Sequence, residues 1–351
     1  MLRLEMRAQP SRAWSAASPL LALVLTVVVG TALFALLGKD PVAGLRVFFW
    51  EPMRDLRAWS ELLLKATPLL LIGVGLAIGF RSNVWNIGAE GQFVLGAIAA
   101  TGVALALQGQ TWPVWPLVLL AGAVSGLLWA AVTAWLRDRF NANEILVSLM
   151  LVYVAVQLLN YLVYGPWKDP LGFNFPQTQR LDAAAQVPRL WPGLRLHLGL
   201  PLALLAALAV WVFLFRTRAG FAQQVGGLAP LAARYAGFSS RTALWVAMGV
   251  TGALAGLAGA LEVAGPLGQL TPHVPVGYGF AAIIVAFVGR LHPVGIVGSA
   301  LLMSMFYIGG ELAQSRLGLP KSITGVFQGL LLFALLACDT LIHYRLRWGR
   351  A

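Results

Sequence analysis

The sequence predicts an all-α integral membrane protein, because of its composition, its long apolar runs and the placement of its charges. Of the 351 residues, 59% are apolar and 11% are charged, whereas a water-soluble domain carries about 25% charged residues. The charges gather in short stretches, and between them lie apolar runs long enough to cross a bilayer. Together these observations predict about ten transmembrane helices with broken or re-entrant segments.

One of the predicted runs is too short to span a bilayer, which takes about 20 apolar residues. This run, 277–289, is expected to form a half-helix or part of a re-entrant pair, and its free backbone groups then need protein or water partners. The apolar runs fall at about 20–38, 61–80, 91–108, 114–136, 142–164, 199–215, 242–262, 277–289, 294–312 and 322–340.

The first run resembles a signal peptide, since Arg3, Arg7 and Arg12 precede it. It is, however, about as long as a transmembrane helix, and no small-residue cleavage site follows it. We therefore interpret residues 1–19 as a cytoplasmic segment that leads into a retained transmembrane helix.

Basic residues set the expected orientation of a single transmembrane domain over residues 20–340. The stretch 216–241 contains four arginines and no acid, and three more arginines follow the last run. Such loops face the cytoplasm, so both termini, including the basic tail 341–351, are expected there. The longer loops 39–60 and 165–198 then lie outside. The tryptophans and prolines of 165–198 fit either interfacial anchoring or a rim that meets an exterior partner.

Several classes of function find no support in the sequence. The net charge of +12 is explained by membrane orientation, and no basic face suits nucleic acid. Cys338 is the only cysteine and the four histidines are scattered, so no metal site is expected. No phosphate-binding loop of the G-x-x-x-x-G-K-[ST] type occurs, and no group of catalytic residues is evident. We expect no catalytic site and no cofactor in this chain.

Two polar segments interrupt the apolar pattern and are candidates for a translocation pathway. Polar side chains at membrane depth normally face a bundle interior or a water-filled route, and broken helices mark such routes in transporters. The first segment, 81–92, could equally be a connecting loop, and the second, at 141–144, could simply cap a helix. The candidate pathway residues are Asn83, Trp85, Asn86, Glu90, Gln92, Asn143 and Glu144.

The cytoplasmic stretch 216–241 is too polar to span and is predicted to contain a short helix after Pro230, because proline suits the first helical position. Leu228, Leu231 and Tyr235 would then form one apolar edge. This edge could be a docking surface for a partner, or it could rest on lipid headgroups.

At these segments the sequence resembles the permease subunits of bacterial ATP-binding-cassette importers for simple sugars, nucleosides and branched-chain amino acids. The likeness is greatest to nucleoside permeases of the guanosine type, and it extends over roughly 60–296. The matching stretches are NVWNIGAEGQF (83–93), NANEILVSLMLVY (141–153), GPWKDP (165–170), RTRAGF (216–221), LAPLAARYAGF (228–238), GALAGLAGALEVAG (252–265) and GYGFAAIIVAFVGRLHPVGI (277–296).

The resemblance implies a type II importer-like permease fold in the bacterial cytoplasmic membrane. It implies that a separate ATPase subunit, which holds ATP and Mg²⁺, docks on a coupling helix within 220–238. Gln224 and Ala229 stand where the family usually has Arg and Asn. The implied coupling residues are Gly220, Gly227, Leu228, Pro230, Leu231, Ala232, Ala233, Arg234, Tyr235 and Gly237.

The same resemblance implies two further protein partners, a second permease and an exterior substrate-binding protein. At this length the chain is similar to the longer member of permease pairs, so a shorter homologue is the expected second permease. Ribose-like or galactose-like sugars are the alternative cargo. A secondary transporter is the alternative mechanism, but it would need coupling carboxylates and internal repeats, and neither is evident. A membrane-embedded enzyme would need catalytic residues grouped at one depth.

Overall fold

Helices form nearly all the regular structure of the described residues, 2–6 and 12–348, in a computed structural model of the chain. Nine of these helices are long and apolar enough to cross a membrane, and an eleven-residue apolar helix, Tyr278–Val288, is too short to do so alone. The all-α class and the short helix predicted at 277–289 are therefore confirmed.

The helices are numbered along the chain. They are α1 (Arg12–Leu36), α2 (Pro41–Leu45), α3 (Leu56–Arg81), α4 (Ala89–Ala106), α5 (Trp115–Phe140), α6 (Glu144–Tyr164), α7 (Gly199–Arg216), α8 (Arg218–Leu228), α9 (Pro230–Tyr235), α10 (Ser240–Glu262), α11 (Tyr278–Val288), α12 (Pro293–Leu317) and α13 (Ile323–His343). Two short strands, β1 (Leu2–Met6) and β2 (Tyr344–Trp348), add a small feature that composition did not predict.

The chain divides into two compact units, the first of which comprises 1–62 and 302–351. In this unit α1 packs against α13, and Ser18 donates a hydrogen bond to Asp339 (2.5 Å) between them. Phe48, in a π-helical turn after α2, is fully buried and stacks on Phe327 with ring centroids 4.3 Å apart. Part of the predicted exterior loop 39–60 is therefore packed core, and α3 begins before the predicted apolar run.

Strands β1 and β2 pair in antiparallel register, with Leu2 opposite Trp348 and Met6 opposite Tyr344. This pairing brings the two ends of the described chain together within the first unit.

The second unit, 63–301, is built around α4, α5 and α10. Glycines line the contacts between these three helices. A β-carbon added to Gly122 would lie only 2.9 Å from the carbonyl oxygen of Gly256, and one added to Gly256 would lie 2.8 Å from the Cα of Gly126. Small residues of this kind let membrane helices pack backbone against backbone.

The segment 268–292 connects α10 to α12 and is anchored by hydrogen bonds near both of its ends. At one end Leu270 exchanges backbone and side-chain hydrogen bonds with Thr178, in the loop between α6 and α7. At its other end Leu291 accepts a hydrogen bond from Arg81, the last residue of α3. The segment therefore passes between opposite ends of the neighbouring spans, with α11, about 16 Å long, covering only part of the distance as helix.

Candidate functional site

Asn86 and Gln92 form a closed, buried pair at the start of α4. The Asn86 amide donates to the Gln92 oxygen (3.0 Å), and the Gln92 amide donates back to the Asn86 oxygen (3.1 Å). The Asn86 oxygen also accepts from the backbone N–H of Gly88 (3.1 Å). Both side chains are buried, so in this conformation they shape the turn into α4 and satisfy one another.

Glu90 joins α4 to the N-terminus of α11. Its carboxylate accepts hydrogen bonds from the backbone N–H of Gly277 (2.8 Å) and of Gly279 (2.5 Å), and the residue is 2% exposed. The first amides of a helix lack intrahelical partners and carry the positive end of its dipole, so a carboxyl group stabilises them. Glu90 thus fixes where the half-length helix begins.

Asn83 and Trp85 lie between the end of α3 and the start of α4. Asn83 has a left-handed backbone (φ 56°) and accepts from the Trp85 indole N–H (3.0 Å). The Trp85 ring packs on Phe80 and on Phe287 of α11, with centroid separations of 5.0 and 6.1 Å. Asn83 also lines an open cleft of about 490 Å³ between the end of α3 and α8.

Asn143 caps α6, as one of the two sequence interpretations predicted. Its side-chain oxygen accepts from the backbone N–H groups of Ile145 (2.9 Å) and Leu146 (3.3 Å). Glu144 forms an ion pair with Arg137 of α5. In this structure the polar groups of both residues already have partners. A pathway role for them remains a prediction.

The predicted short helix after Pro230 is present as α9, with proline at its first position. Its apolar edge faces away from the rest of the unit. Leu228, Leu231 and Tyr235 are 86%, 73% and 95% exposed, whereas Ala233 on the opposite face is buried. The chain therefore exposes two large apolar side chains on α9, Leu231 and Tyr235, and a third, Leu228, at the end of α8.

Helix α8 was not predicted, and it ties α9 to the membrane helices. A β-carbon at Gly220 would lie 2.7 Å from the Cα of Leu214, and one at Gly227 would lie 2.9 Å from the carbonyl carbon of Arg81. Gln223, buried, accepts a hydrogen bond from Ser82. These glycines, both implied coupling residues, are thus close-packing positions and not exposed contacts. The remaining implied residues Ala232, Arg234 and Gly237 lie on or just after α9 and are exposed.

Arg81, the last residue of α3, contacts three other parts of the second unit. Its Nε donates to the carbonyl of Leu291 (2.8 Å), before α12, and its guanidinium donates to Gln224 of α8 (3.0 Å). The guanidinium also lies 5.1 Å from the ring centre of Phe215 in α7. Sequence reasoning missed this role because the hydrogen-bonding partners are 210 and 143 residues away in the chain.

Comparison with known protein families decides the class of protein. A family model described as "Branched-chain amino acid transport system / permease component" matches residues 59–336, which include α9, the Glu90 contact and all the pathway candidates. The chain belongs to this family. It is a permease subunit of an ATP-binding-cassette transporter, as the sequence resemblance predicted.

Individual relatives of this permease cover nearly its whole length. It is 34% identical to the glucose ABC transporter permease protein TsgB13 of Haloferax volcanii, over 98% of this chain and 94% of the relative. It is 30% identical to the guanosine ABC transporter permease protein NupP of Bacillus subtilis, over 88% and 89%. It is 27% identical to the nucleoside ABC transporter permease protein NupB of Lactococcus lactis, over 90% and 89%. No solved structure matches the permease.

The described residues of the permease contain no group of three or more His, Cys, Asp or Glu side chains that could hold a metal ion. It brings polar groups together at the start of α4, at the N-terminus of α11 and around Arg81. The permease is a multi-pass membrane protein, and these three groups of polar contacts lie where helices begin or end.

Proposed function

We propose that this permease imports nucleosides, forms the translocation pathway and is driven by a separate ATPase that binds ATP and Mg²⁺. The exposed apolar edge of α9 is the observation that carries the coupling part of this proposal. Large apolar side chains that are almost fully exposed at the end of a short, anchored helix suit insertion into a groove on a partner.

Movement of α9 can reach the membrane helices through α8 and Arg81. Gln224 holds Arg81, Arg81 holds the turn at Leu291, and that turn joins α11 to α12. A partner that pulls on α9 would then displace the cytoplasmic end of α11, whose other end is fixed by Glu90. In this mechanism the pathway opens and closes around the candidate residues of segment 83–92, with Asn143 and Glu144 at the inner mouth.

The proposed assembly contains a second permease, expected to be a shorter homologue, and an exterior substrate-binding protein that selects the cargo. Under this proposal the chain has no catalytic site of its own. It lies in the cytoplasmic membrane with both termini inside, and 165–198 faces the binding protein.

Relatives named for guanosine and for other nucleosides support the choice of cargo. Glucose is the second candidate, because a relative named for glucose aligns with nearly the whole chain. Both cargoes are neutral and carry a hydroxyl-rich ring.

The test is ATP hydrolysis by the complex of this chain with its co-expressed neighbours, reconstituted in lipid with the binding protein. We expect guanosine to stimulate hydrolysis and to be taken up into vesicles. Stimulation by glucose alone would transfer the proposal to sugars. Uptake by the chain without any ATPase would overturn the proposed mechanism.

A further inference from the structure

Helix α6 exposes a stripe of polar and aromatic side chains that none of the roles above uses. The helix buries one face, where Val152, Ala155, Leu159 and Val163 pack inward. On another face Tyr153 is 63% exposed and Gln157 is exposed, and Asn160 is half-buried beside them. At 3.6 residues per turn these three positions follow one another along a single face.

The position of this stripe along the helix is what requires explanation. Counted at about 1.5 Å per residue from Tyr164 at the exterior end, Gln157 lies about 10 Å and Tyr153 about 16 Å along α6. A hydrocarbon core is about 30 Å thick, so Tyr153 falls near its middle. Tyr161 and Tyr164, closer to the end, are explained by the aromatic belt at the membrane interface.

The neighbouring spans show what a lipid-facing surface of this protein looks like. The large side chains that α5 exposes between Leu117 and Trp135 are apolar, and α7 exposes leucine, valine and phenylalanine between Leu204 and Phe215. On α6 itself, Val154 and Leu158 are exposed beside the stripe and are apolar. Away from the ends of α5, α6 and α7, the exposed polar side chains are thus those of α6.

An amide that is exposed to hydrocarbon is costly, and polar side chains in spans normally face a cavity or another helix. Gln157 accepts a hydrogen bond from Asn160 (3.1 Å), which satisfies only part of the hydrogen-bonding capacity of the two amides. The remaining donors and acceptors point away from the protein core. Water, or a solute that replaces water, supplies the partners that lipid cannot.

We propose that Tyr153, Gln157 and Asn160 line the aqueous translocation route and contact the cargo, a neutral solute with a hydroxyl-bearing ring. This inference rests on the proposed import function and names residues for it. The stripe has no charged side chain, which suits a neutral cargo. Its two amides can donate to and accept from adjacent hydroxyls, and the tyrosine offers an apolar ring face together with a hydroxyl.

Cysteine accessibility in the assembled transporter tests the proposal. The starting protein carries Cys338→Ala, which removes the native thiol. Single cysteines then replace Tyr153, Gln157 or Asn160, with Val154→Cys and Leu158→Cys as matched controls on the same helix. Because these positions are not core packing sites, the variants should assemble, and co-purification of the ATPase checks that they do.

A charged, membrane-impermeant thiol reagent is added to vesicles that contain each complex. We expect the stripe cysteines to react about tenfold faster than the controls, because the thiolate that reacts forms in water and not in lipid. Guanosine or glucose, added with the binding protein, should slow the reaction at the stripe, and the solute that does so identifies the ring that is bound. Equal rates at the stripe and the controls would overturn the proposal.

Reactive stripe cysteines that neither solute protects would overturn the contact with cargo. Failure of the import function itself is read separately, as absence of ATP-dependent uptake by the Cys338→Ala parent. The relative reactivity of stripe and control cysteines is measured without transport, so the two failures are distinguishable.

Discussion

Glu90 illustrates how one side chain can fix a broken crossing. Two backbone amides at the start of α11 are directed at its carboxylate, and neither has a partner within its own helix. Each buried donor that loses its partner costs about 1–3 kcal/mol. Glu90 therefore stabilises the protein by fixing the position of α11.

Replacing Glu90 with Leu should destabilise the permease and abolish transport, because both amides lose their acceptor. Glu90→Gln, which retains one carbonyl oxygen, is the matched variant and should keep part of both properties. Thermal unfolding in detergent and uptake in vesicles measure the two effects. Normal transport by Glu90→Leu would show that the cap is not needed. Asn86→Leu is also expected to impair transport.

The contacts of Arg81 predict that a substitution there impairs the coupling of ATP hydrolysis to uptake and leaves assembly intact. Arg81→Lys keeps the charge but cannot reach Leu291 and Gln224 with the same planar group. We expect ATP hydrolysis to continue while uptake per ATP falls several-fold. Arg216→Lys is the control, since Arg216 is exposed at the end of α7 and stacks on Trp211 (5.3 Å). An unchanged ratio of uptake to hydrolysis in Arg81→Lys would contradict the transmission route.

His197, just before α7, predicts a dependence of stability on pH. Burial lowers the pKa of its imidazole from 6.5 to about 4, and its Nδ1 accepts from the backbone N–H of Gly199 (3.0 Å). The unfolded chain therefore binds a proton at a higher pH than the folded chain does. The contribution of the neutral imidazole to the free energy of unfolding is complete above about pH 6.5. It falls as the pH is lowered toward 4.

Protonation of His197 should lower the free energy of unfolding by about 3 kcal/mol, at 1.36 kcal/mol per pKa unit. Unfolding temperatures measured between pH 7.5 and pH 4.5 check this value. His197→Gln should show a smaller change over that range. An equal fall in both proteins would assign the effect to other groups.

At the scale of elements, α9 predicts where the ATPase docks. Tyr235→Asp and Leu231→Asp place a carboxylate in the apolar edge, which should weaken binding of the ATPase by at least tenfold, since a buried unpaired charge costs several kcal/mol. Leu171→Asp, which changes a similarly exposed leucine in the loop between α6 and α7, is the matched control. Retention of the ATPase by both α9 variants during co-purification would contradict the coupling assignment.

The elements also show which features the sequence could predict. Helix α9, the Asn143 cap and the half-length α11 were predicted, because each has a local signal in the sequence. The signals are Pro230, an asparagine just before an apolar run, and the shortness of the apolar run at 277–289. Helix α8 was not, because Gly226 and Gly227 usually end helices. Gly227 instead allows close packing against Arg81. The Glu90 and Arg81 contacts depend on partners far apart in sequence, which no local pattern specifies.

At the scale of the whole chain, the pairing of β1 with β2 predicts an even number of crossings. Epitope tags at the two termini should both be protected in intact cells, and a tag inserted into 165–198 should be accessible to antibody. A tag in the α8–α9 region, which should be protected, is the control for orientation. Termini on opposite sides would show that 268–292 does not cross.

The glycine contacts among α4, α5 and α10 have a mechanical consequence. A transporter that cycles between two conformations needs a rigid part against which its moving helices can shift. Three helices whose backbones touch cannot slide past one another, because the next side chain along would collide with the facing main chain. Within 63–301, that trio is the rigid part, and α11, whose first turn is capped by Glu90 and whose far end precedes the hydrogen bond between Arg81 and Leu291, is the part that moves in the proposed mechanism.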